Sequence, residues 1–178
     1  MRKLRTEELK RLSVEAFKKS DKTPVVVVLD NIRSFNNVGS AFRTSDAFRL
    51  EGIFLCGITA RPPHREIHKT ALGATESVDW KYFENTEDAV DLLKKEGYDI
   101  IGVEQVDESI PLQDFKPGKD KKYALIFGNE VSGINDQVIA MCDKCVEIPQ
   151  IGTKHSLNVS VSIGIVVWHF FKGIGIEK

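Results

Sequence analysis

The run Glu147-Ile148-Pro149-Gln150-Ile151-Gly152-Thr153-Lys154-His155-Ser156-Leu157-Asn158-Val159-Ser160 decides how this chain is read. It continues without a break into Val161-Ser162-Ile163-Gly164-Ile165-Val166-Val167-Trp168-His169-Phe170-Phe171. An apolar strand stops at Pro149, which has no N–H to give to a sheet ladder. A loop containing Gly152 follows. The small-polar run Ser156 to Ser162 then opens a strongly apolar helix, and Ser156 and Asn158 are residue types that favour a helix start. Free backbone N–H groups over such a start are able to hold a ligand. The stretch reads as the floor of a binding site.

The same strand, loop and helix succession appears earlier. Val25-Val26-Val27-Val28-Leu29 is a continuous β-branched apolar run, as expected of a strand buried on both faces. It leaves through Asp30-Asn31 into a polar loop, and a helix is expected from about Asn37 to Phe48. Ile53-Phe54-Leu55-Cys56 follows as a second strand. Such a βαβ unit implies a mostly parallel sheet with helices on its faces, and ligands at the strand–loop–helix crossings. Further strands are expected at Trp80–Phe83, Ile100–Val103, Tyr123–Phe127 and Val146–Ile148. Helices are expected at Thr86–Glu96, with Ala89, Val90, Leu92 and Leu93 inward, and at Asn135–Cys142. The segment Ala60–Glu76, with Pro62-Pro63 and a basic start, reads as an irregular exposed loop suited to substrate contact.

A chain of 178 residues has room for one full core, and 42% hydrophobic with 29% charged residues is the composition of a globular chain, not of a disordered or membrane one. The longest apolar run is far shorter than a bilayer span, and no signal-like segment opens the chain. Three cysteines make no disulfide framework, so a cytoplasmic location is expected. Residues 1–72 carry 14 Lys/Arg against 8 Asp/Glu, a balance of +6, whereas residues 73–178 carry 11 against 18, a balance of −7. That asymmetry suggests one face for a polyanion. The expected organisation is a basic helical extension over residues 1–22, capped by Thr6 and running to about Lys19, ahead of a single main domain over residues 23–178. Arg2, Lys3, Arg5, Arg61 and Arg65 are the candidate contacts for that polyanion.

Several chemistries are disfavoured by spacing. Gly128-Asn129-Glu130-Val131-Ser132-Gly133 follows a strand but lacks the Lys-Ser or Lys-Thr of a phosphate loop, and no Gly-x-Gly-x-x-Gly occurs in the chain. Cys142-x-x-Cys145 has no second pair and no His doublet, so no metal is expected. Ser156 lacks a nucleophile elbow, and His155 has no recognisable partners. Asn158-Val159-Ser160 spells a glycosylation sequon without a secretory context.

Three motifs in order carry a resemblance. Asn37-Val38-Gly39 with Arg43, Phe127-Gly128-Asn129-Glu130-Val131-Ser132-Gly133, and Ile148-Pro149-Gln150 through Ser156-Leu157-Asn158-Val159-Ser160 together resemble the SpoU (TrmH-like) RNA ribose methyltransferases of the SPOUT superfamily. Gln150 stands where that family usually has Met. The resemblance spans residues 24 to about 172. It implies an α/β fold, a mostly parallel sheet flanked by helices, with a C-terminal trefoil knot formed by residues 122–172. It implies a homodimer packed through the C-terminal helix, and S-adenosylmethionine held by Gly128, Ile148, Leu157, Phe127, Val103 and Gly152. By the same resemblance Arg43, Asn37, Glu130, Ser156 and Asn158 are the catalytic positions. Arg43 would clamp phosphate and stabilise the developing alkoxide, and Glu130 would hold either Arg43 or a loop. The implied reaction is methylation of an RNA ribose 2′-hydroxyl. The alternatives are a catalytically idle RNA-binding dimer and a base-nitrogen methyltransferase. About 24 residues precede the first strand and almost nothing follows the last helix. That compact form is common in tRNA-modifying relatives, so tRNA is expected ahead of rRNA.

Overall fold

The computed structural model describes residues 1–9 and 11–175. Its strands are β1 (Thr23–Asp30), β2 (Leu50–Cys56), β3 (Trp80–Phe83), β4 (Tyr98–Val103), β5 (Ile110–Pro111), β6 (Lys122–Phe127) and β7 (Lys144–Glu147). They form one sheet in the order β3-β2-β1-β6-β4-β7-β5, and every pairing in it is parallel. The helices are α1 (Val14–Lys19), α2 (Phe35–Ala47), α3 (Arg65–Ala71), α4 (Ala74–Ser77), α5 (Thr86–Lys95), α6 (Asp136–Ile139) and α7 (Val159–Ile174).

Strand β1 shows why its sequence is unbroken apolar. Side chains alternate across a sheet, and both faces of this one are covered. Val25, Val27 and Leu29 pack with Val38, Phe42, Ile67, Val166 and Phe170, from the layer of α2, α3 and α7. Val26 and Val28 pack with Ala89, Val90, Leu93 and Val138, from α5 and α6. Between its polar ends, Thr23 and Asp30, the strand has no face left for a polar residue.

Register then aligns the carboxyl ends. Leu29 pairs with Phe127, Phe127 with Val103, and Val103 with Val146. The loops that leave β1, β4, β6 and β7 therefore emerge side by side on one edge, where open α/β sheets bind ligands.

Strand β5 is not among the expected elements, α6 is shorter than the helix expected over Asn135–Cys142, and two further segments differ more. The helix expected from Thr6 to Lys19 is a 3-10 turn at Thr6–Leu9 and a separate short α1; its passage through residue 10 lies outside the described residues, as do residues 176–178 of the expected domain. The Ser13 hydroxyl accepts from the Ala16 N–H at 3.2 Å, a cap that restarts the helix. Leu9 and Leu12 are exposed, and among the described residues of this segment only Phe17 reaches the core. The loop expected over Ala60–Glu76 contains α3 and α4. His64 Nδ1 accepts from the Glu66 N–H at 3.2 Å to cap α3, and Leu72 and Gly73, with φ of +50° and +90°, turn the chain into α4. Ile67, Ala71 and Ala74 are buried at helical spacing, a signal that the Pro-Pro pair and the basic residues mask.

Candidate active site

The loop Gly128–Asn135 is tied shut by its own residues. Asn129 and Gly133 exchange backbone hydrogen bonds of 3.0 and 2.9 Å, and Asn129 Oδ1 accepts from the N–H groups of Val131 and Ser132. Both glycines are spatially required. A Cβ on Gly128 would lie 2.2 Å from the Gly133 carbonyl carbon; one on Gly133, where φ is +70°, would lie 2.4 Å from Glu104 Oε2. That Glu104 carboxylate accepts from the N–H of Ile134 at 3.1 Å and of Gln105 at 3.0 Å. Buried Asp30 accepts from Thr86 Oγ1 (2.6 Å), Asn31 Nδ2 (2.8 Å) and the Asn135 N–H (3.1 Å). Asn129 Nδ2 donates to the Asn31 carbonyl at 2.7 Å.

Glu130 joins this loop to the start of α2. Its Oε2 accepts from the Arg33 N–H at 2.9 Å, and its Oε1 from the Ser34 N–H at 3.1 Å and Asn37 Nδ2 at 3.0 Å. Partial burial pushes its carboxyl up, but the Arg33 N–H, the Asn37 amide, its own N–H and the Ser34 N–H outweigh this and hold it below the usual carboxylate range. Of the two expected partners, Glu130 holds the loop; no bond joins it to Arg43.

The three residues of the first motif do three different things on α2. Asn37 is 8% exposed in the first turn, which Ser34 caps. Gly39 is where α3 crosses: a Cβ there would lie 2.0 Å from Thr70 Oγ1 and 2.4 Å from the Ile67 carbonyl oxygen. Arg43 is exposed and has no hydrogen bond or ion pair among the described residues. Asn37 and Arg43 thus face different ways, as a six-residue separation on a 3.6-residue helix requires.

In the third motif, Asn158 caps α7, its Oδ1 accepting from the Ser160 N–H at 2.9 Å and Ser160 Oγ at 2.6 Å. Ser156 and Gly152 are exposed, and no side-chain contact draws Ser156 to Arg43 or Asn37 among the described residues. From Gln150 to Leu157 no backbone N–H or carbonyl finds a hydrogen-bond partner among the described residues. A backbone polar group needs a partner, so this row is open to a ligand with hydrogen-bonding edges. Ile148 and Val103 are partly buried against the core, Leu157 is 38% exposed, and Gly128 leaves the sheet one residue past Phe127, the register partner of Val103. Phe127 is only 1% exposed and is paired on both sides within the sheet, so its ring is not presented to a ligand. Open amides over an apolar floor fit an adenosyl group.

The candidate RNA contacts fall in two places. Arg2, Lys3 and Arg5 are exposed near the N-terminus, where Arg2 forms a two-pronged pair with Glu8 (2.6 and 2.8 Å) that holds the Glu8 carboxyl at about 2. The Arg61 guanidinium lies 4.1 Å above the Tyr82 ring, and Arg65 is exposed at the start of α3. Burial pushes the thiols of Cys56 and Cys142 up to about 12, so both stay protonated. Among the described residues no group of three or more His, Cys, Asp or Glu could hold a metal ion. Sequence reasoning missed Glu104, Asp30 and Thr86, none of which belongs to a motif. Asp30-Asn31 was legible as a strand exit, but its partners lie 56 and 105 positions away.

The fold is a parallel α/β sheet with a tied glycine loop and an open loop before a capped helix at the carboxyl ends of its strands, where such sheets bind ligands. Residues 24–168 match the SpoU rRNA Methylase family, and the chain belongs to it. It is 28% identical over 141 residues to the tRNA (guanosine(18)-2'-O)-methyltransferase of Borreliella burgdorferi, covering 79% of this chain and 63% of that protein. It is 32% identical over 144 residues to a 23S rRNA (guanosine-2'-O-)-methyltransferase of Neisseria meningitidis, covering 81% and 56%. The chain thus spans about six tenths of the length of these relatives. The AdoMet-bound rRNA methyltransferase from Sinorhizobium meliloti superposes with a TM-score of 0.78 at 25% identity, over 85% of this chain and 57% of that one. The A. aeolicus TrmH/SpoU tRNA modifying enzyme gives 0.78 at 25% identity, over 94% and 82%.

Proposed function

We propose that this chain catalyses methyl transfer from S-adenosylmethionine to the ribose 2′-hydroxyl of an RNA nucleotide. The observation that carries the reading is that the strands leading into the three motifs end in register on one sheet edge, with the backbone from Gln150 to Leu157 free of internal partners among the described residues. Those amides and carbonyls, with Gly128 and Gly152, hold the cofactor's polar edges, and Ile148, Val103 and Leu157 its apolar ones. When bound, the cofactor supplies an electrophilic methyl on sulfur. The Arg43 guanidinium clamps a phosphate and stabilises the oxyanion that develops as the ribose 2′-hydroxyl gives its proton to water or a neighbouring phosphate and takes the methyl, with S-adenosylhomocysteine as the leaving product. Asn37, held by Glu130, orients the substrate, and Ser156 and Asn158 position the ribose at the start of α7. Alignment for in-line attack supplies much of the rate.

Transfer RNA is proposed ahead of ribosomal RNA, because the likeness to the A. aeolicus tRNA modifying enzyme extends over more of both chains than that to the rRNA methyltransferase. The reading includes a trefoil knot over residues 122–172, supported by β6 lying between β1 and β4 while β7 sits beyond β4. It includes a homodimer, supported by the stripe Val161, Ile165 and Trp168 on α7, which is 49%, 38% and 53% exposed. Three free cysteines support a cytoplasmic location, and no helix among the described residues is long and apolar enough to cross a membrane.

The test is transfer of radiolabelled methyl from S-adenosylmethionine to unmodified tRNA and, separately, rRNA, followed by digestion to nucleosides. A 2′-O-methylnucleoside in an alkali-resistant linkage is expected. Arg43→Ala should lower kcat by roughly a hundredfold or more, the usual loss of one oxyanion donor, with stability changed by less than about 0.5 kcal/mol. A methyl on a base nitrogen, or cofactor binding without transfer to either RNA, would overturn the assignment.

A further inference from the structure

A groove of about 610 Å³ lies outside the cluster just described, walled by Pro62, Pro63, Ile67 and Trp80 and rimmed by His64, Arg65, His68 and Glu76. Its size is that of a small-molecule site. Trp80 sits on β3, the edge strand of the sheet, half-buried and packed on the core. Arg65 and His68 are exposed, and neither side chain has a hydrogen bond or ion pair among the described residues. The neighbouring Glu66 is already neutralised by Lys69 at 2.7 Å, which leaves Glu76 as the free acid of the rim. The His64 ring stacks on Phe35, at 4.1 Å and 15°, and Phe35 is two residues from Asn37.

We propose that this groove takes one unpaired nucleotide of the RNA, a neighbour of the methylated one, with its base against Trp80 and its phosphate at Arg65. The proposal rests on the RNA methyltransferase reading and adds to it a second nucleotide subsite. A flat apolar wall with an uncommitted arginine at its rim matches a base and its phosphate, the pairing by which single-stranded RNA is held. Glu76 offers an acceptor for a base amino group. The basic balance of residues 1–72 favours a polyanion over an apolar peptide. The Phe35–His64 stack joins the groove to the first turn of α2, whose Ser34 N–H is bound by Glu130.

The chain has two tryptophans, Trp80 and Trp168, so Trp168→Phe, used only once it matches the unaltered chain in methyl transfer and in sedimentation, leaves Trp80 as the sole indole reporter. This variant is titrated with a short RNA stem-loop carrying an unpaired loop, and with a fully paired duplex of the same composition. The stem-loop should quench Trp80 and the duplex should not. Trp80→Leu should weaken stem-loop binding on the order of tenfold or more, and Trp80→Phe, which keeps a π-face, should restore most of it. Arg65→Ala should lower the salt slope of binding by about one. In methyl transfer, Trp80→Leu and Arg65→Ala should raise the KM for RNA and leave kcat at saturating RNA unchanged. Methyl transfer with a silent Trp80 and normal binding by Trp80→Leu would remove this proposal alone. Neither binding nor transfer by the unaltered chain would remove it together with the reading beneath it. A Trp80 change on raising protein concentration without RNA would assign the groove to a second copy of the chain and overturn the proposal.

Discussion

Glu130→Gln tests whether the glycine loop is fixed by charge. The wild-type carboxylate accepts from three donors, two on Oε1 and one on Oε2. Glutamine keeps one oxygen, which serves the Ser34 N–H and Asn37, but its amide nitrogen then faces the Arg33 N–H, donor against donor. One bond is lost outright and two become neutral. A net bond to a charged acceptor contributes about 1.5–3 kcal/mol, and Glu130 is exposed, so water competes and the lower end is discounted further; about 0.5–1.5 kcal/mol of local stability should go. The readout is amide exchange at Arg33 and Ser34, which should quicken by about two- to tenfold while global unfolding changes little. The pH dependence has a fixed sign. A carboxyl held below its ordinary value contributes stability that is complete above about pH 4.3 and is lost as pH falls through the lowered folded value. Protection of both amides should therefore fade in acid in the wild type and show no such dependence in Glu130→Gln. Unchanged exchange at neutral pH would refute the tie.

Three further outcomes follow from the geometry. Gly39→Ala gains about 1 kcal/mol of helix propensity but drives a methyl against Thr70 Oγ1 and the Ile67 carbonyl; net destabilisation of about 1–2 kcal/mol is expected in denaturant melts, and adding Thr70→Ala should recover only part, since the backbone contact remains. Asn158→Ala removes the cap of α7 and should cost about 1 kcal/mol; an unchanged melt would deny the capping role. Cys56 and Cys142 should resist alkylation at pH 8 in the folded chain and react on unfolding, read by mass spectrometry. With folded values of about 12, their contribution to stability is complete below about pH 8.5 and is lost as pH rises towards 12.

Where a pattern is local, the sequence was readable. Val25–Leu29, Tyr123–Phe127 and the period of Ala89, Val90 and Leu93 each announce an element, because burial on one or both faces selects apolar residues at a fixed spacing. The N-terminal helix is broken because Leu9 and Leu12 keep helical spacing without a surface to cover, and Ser13 caps a new start. The stretch Ala60–Glu76 is the opposite case, its buried Ile67, Ala71 and Ala74 being diluted among prolines and cations. In the site, the motif residues were legible but their partners were not. Glu130 meets the chain 93 to 97 positions away, and Glu104 meets Ile134 across 30. No spacing rule reaches that far; only the strand order β1-β6-β4 brings those loops together.

That distance bears on the chemistry proposed for Arg43. An acid beside it would hold its charge, and an RNA phosphate would first have to displace that acid. The nearest motif carboxylate is instead occupied by the N–H groups of Arg33 and Ser34 and by Asn37. Its negative charge is spent on positioning the first turn of α2, and the arginine two turns along the same helix is left free for an anion. The positioning and the cationic function are thus separated on one element, with Gly39 between them fixing that helix against α3. Removing the carboxylate should therefore loosen the geometry without changing the charge on Arg43, so that Glu130→Gln loses rate through alignment and Arg43→Ala through stabilisation of the oxyanion.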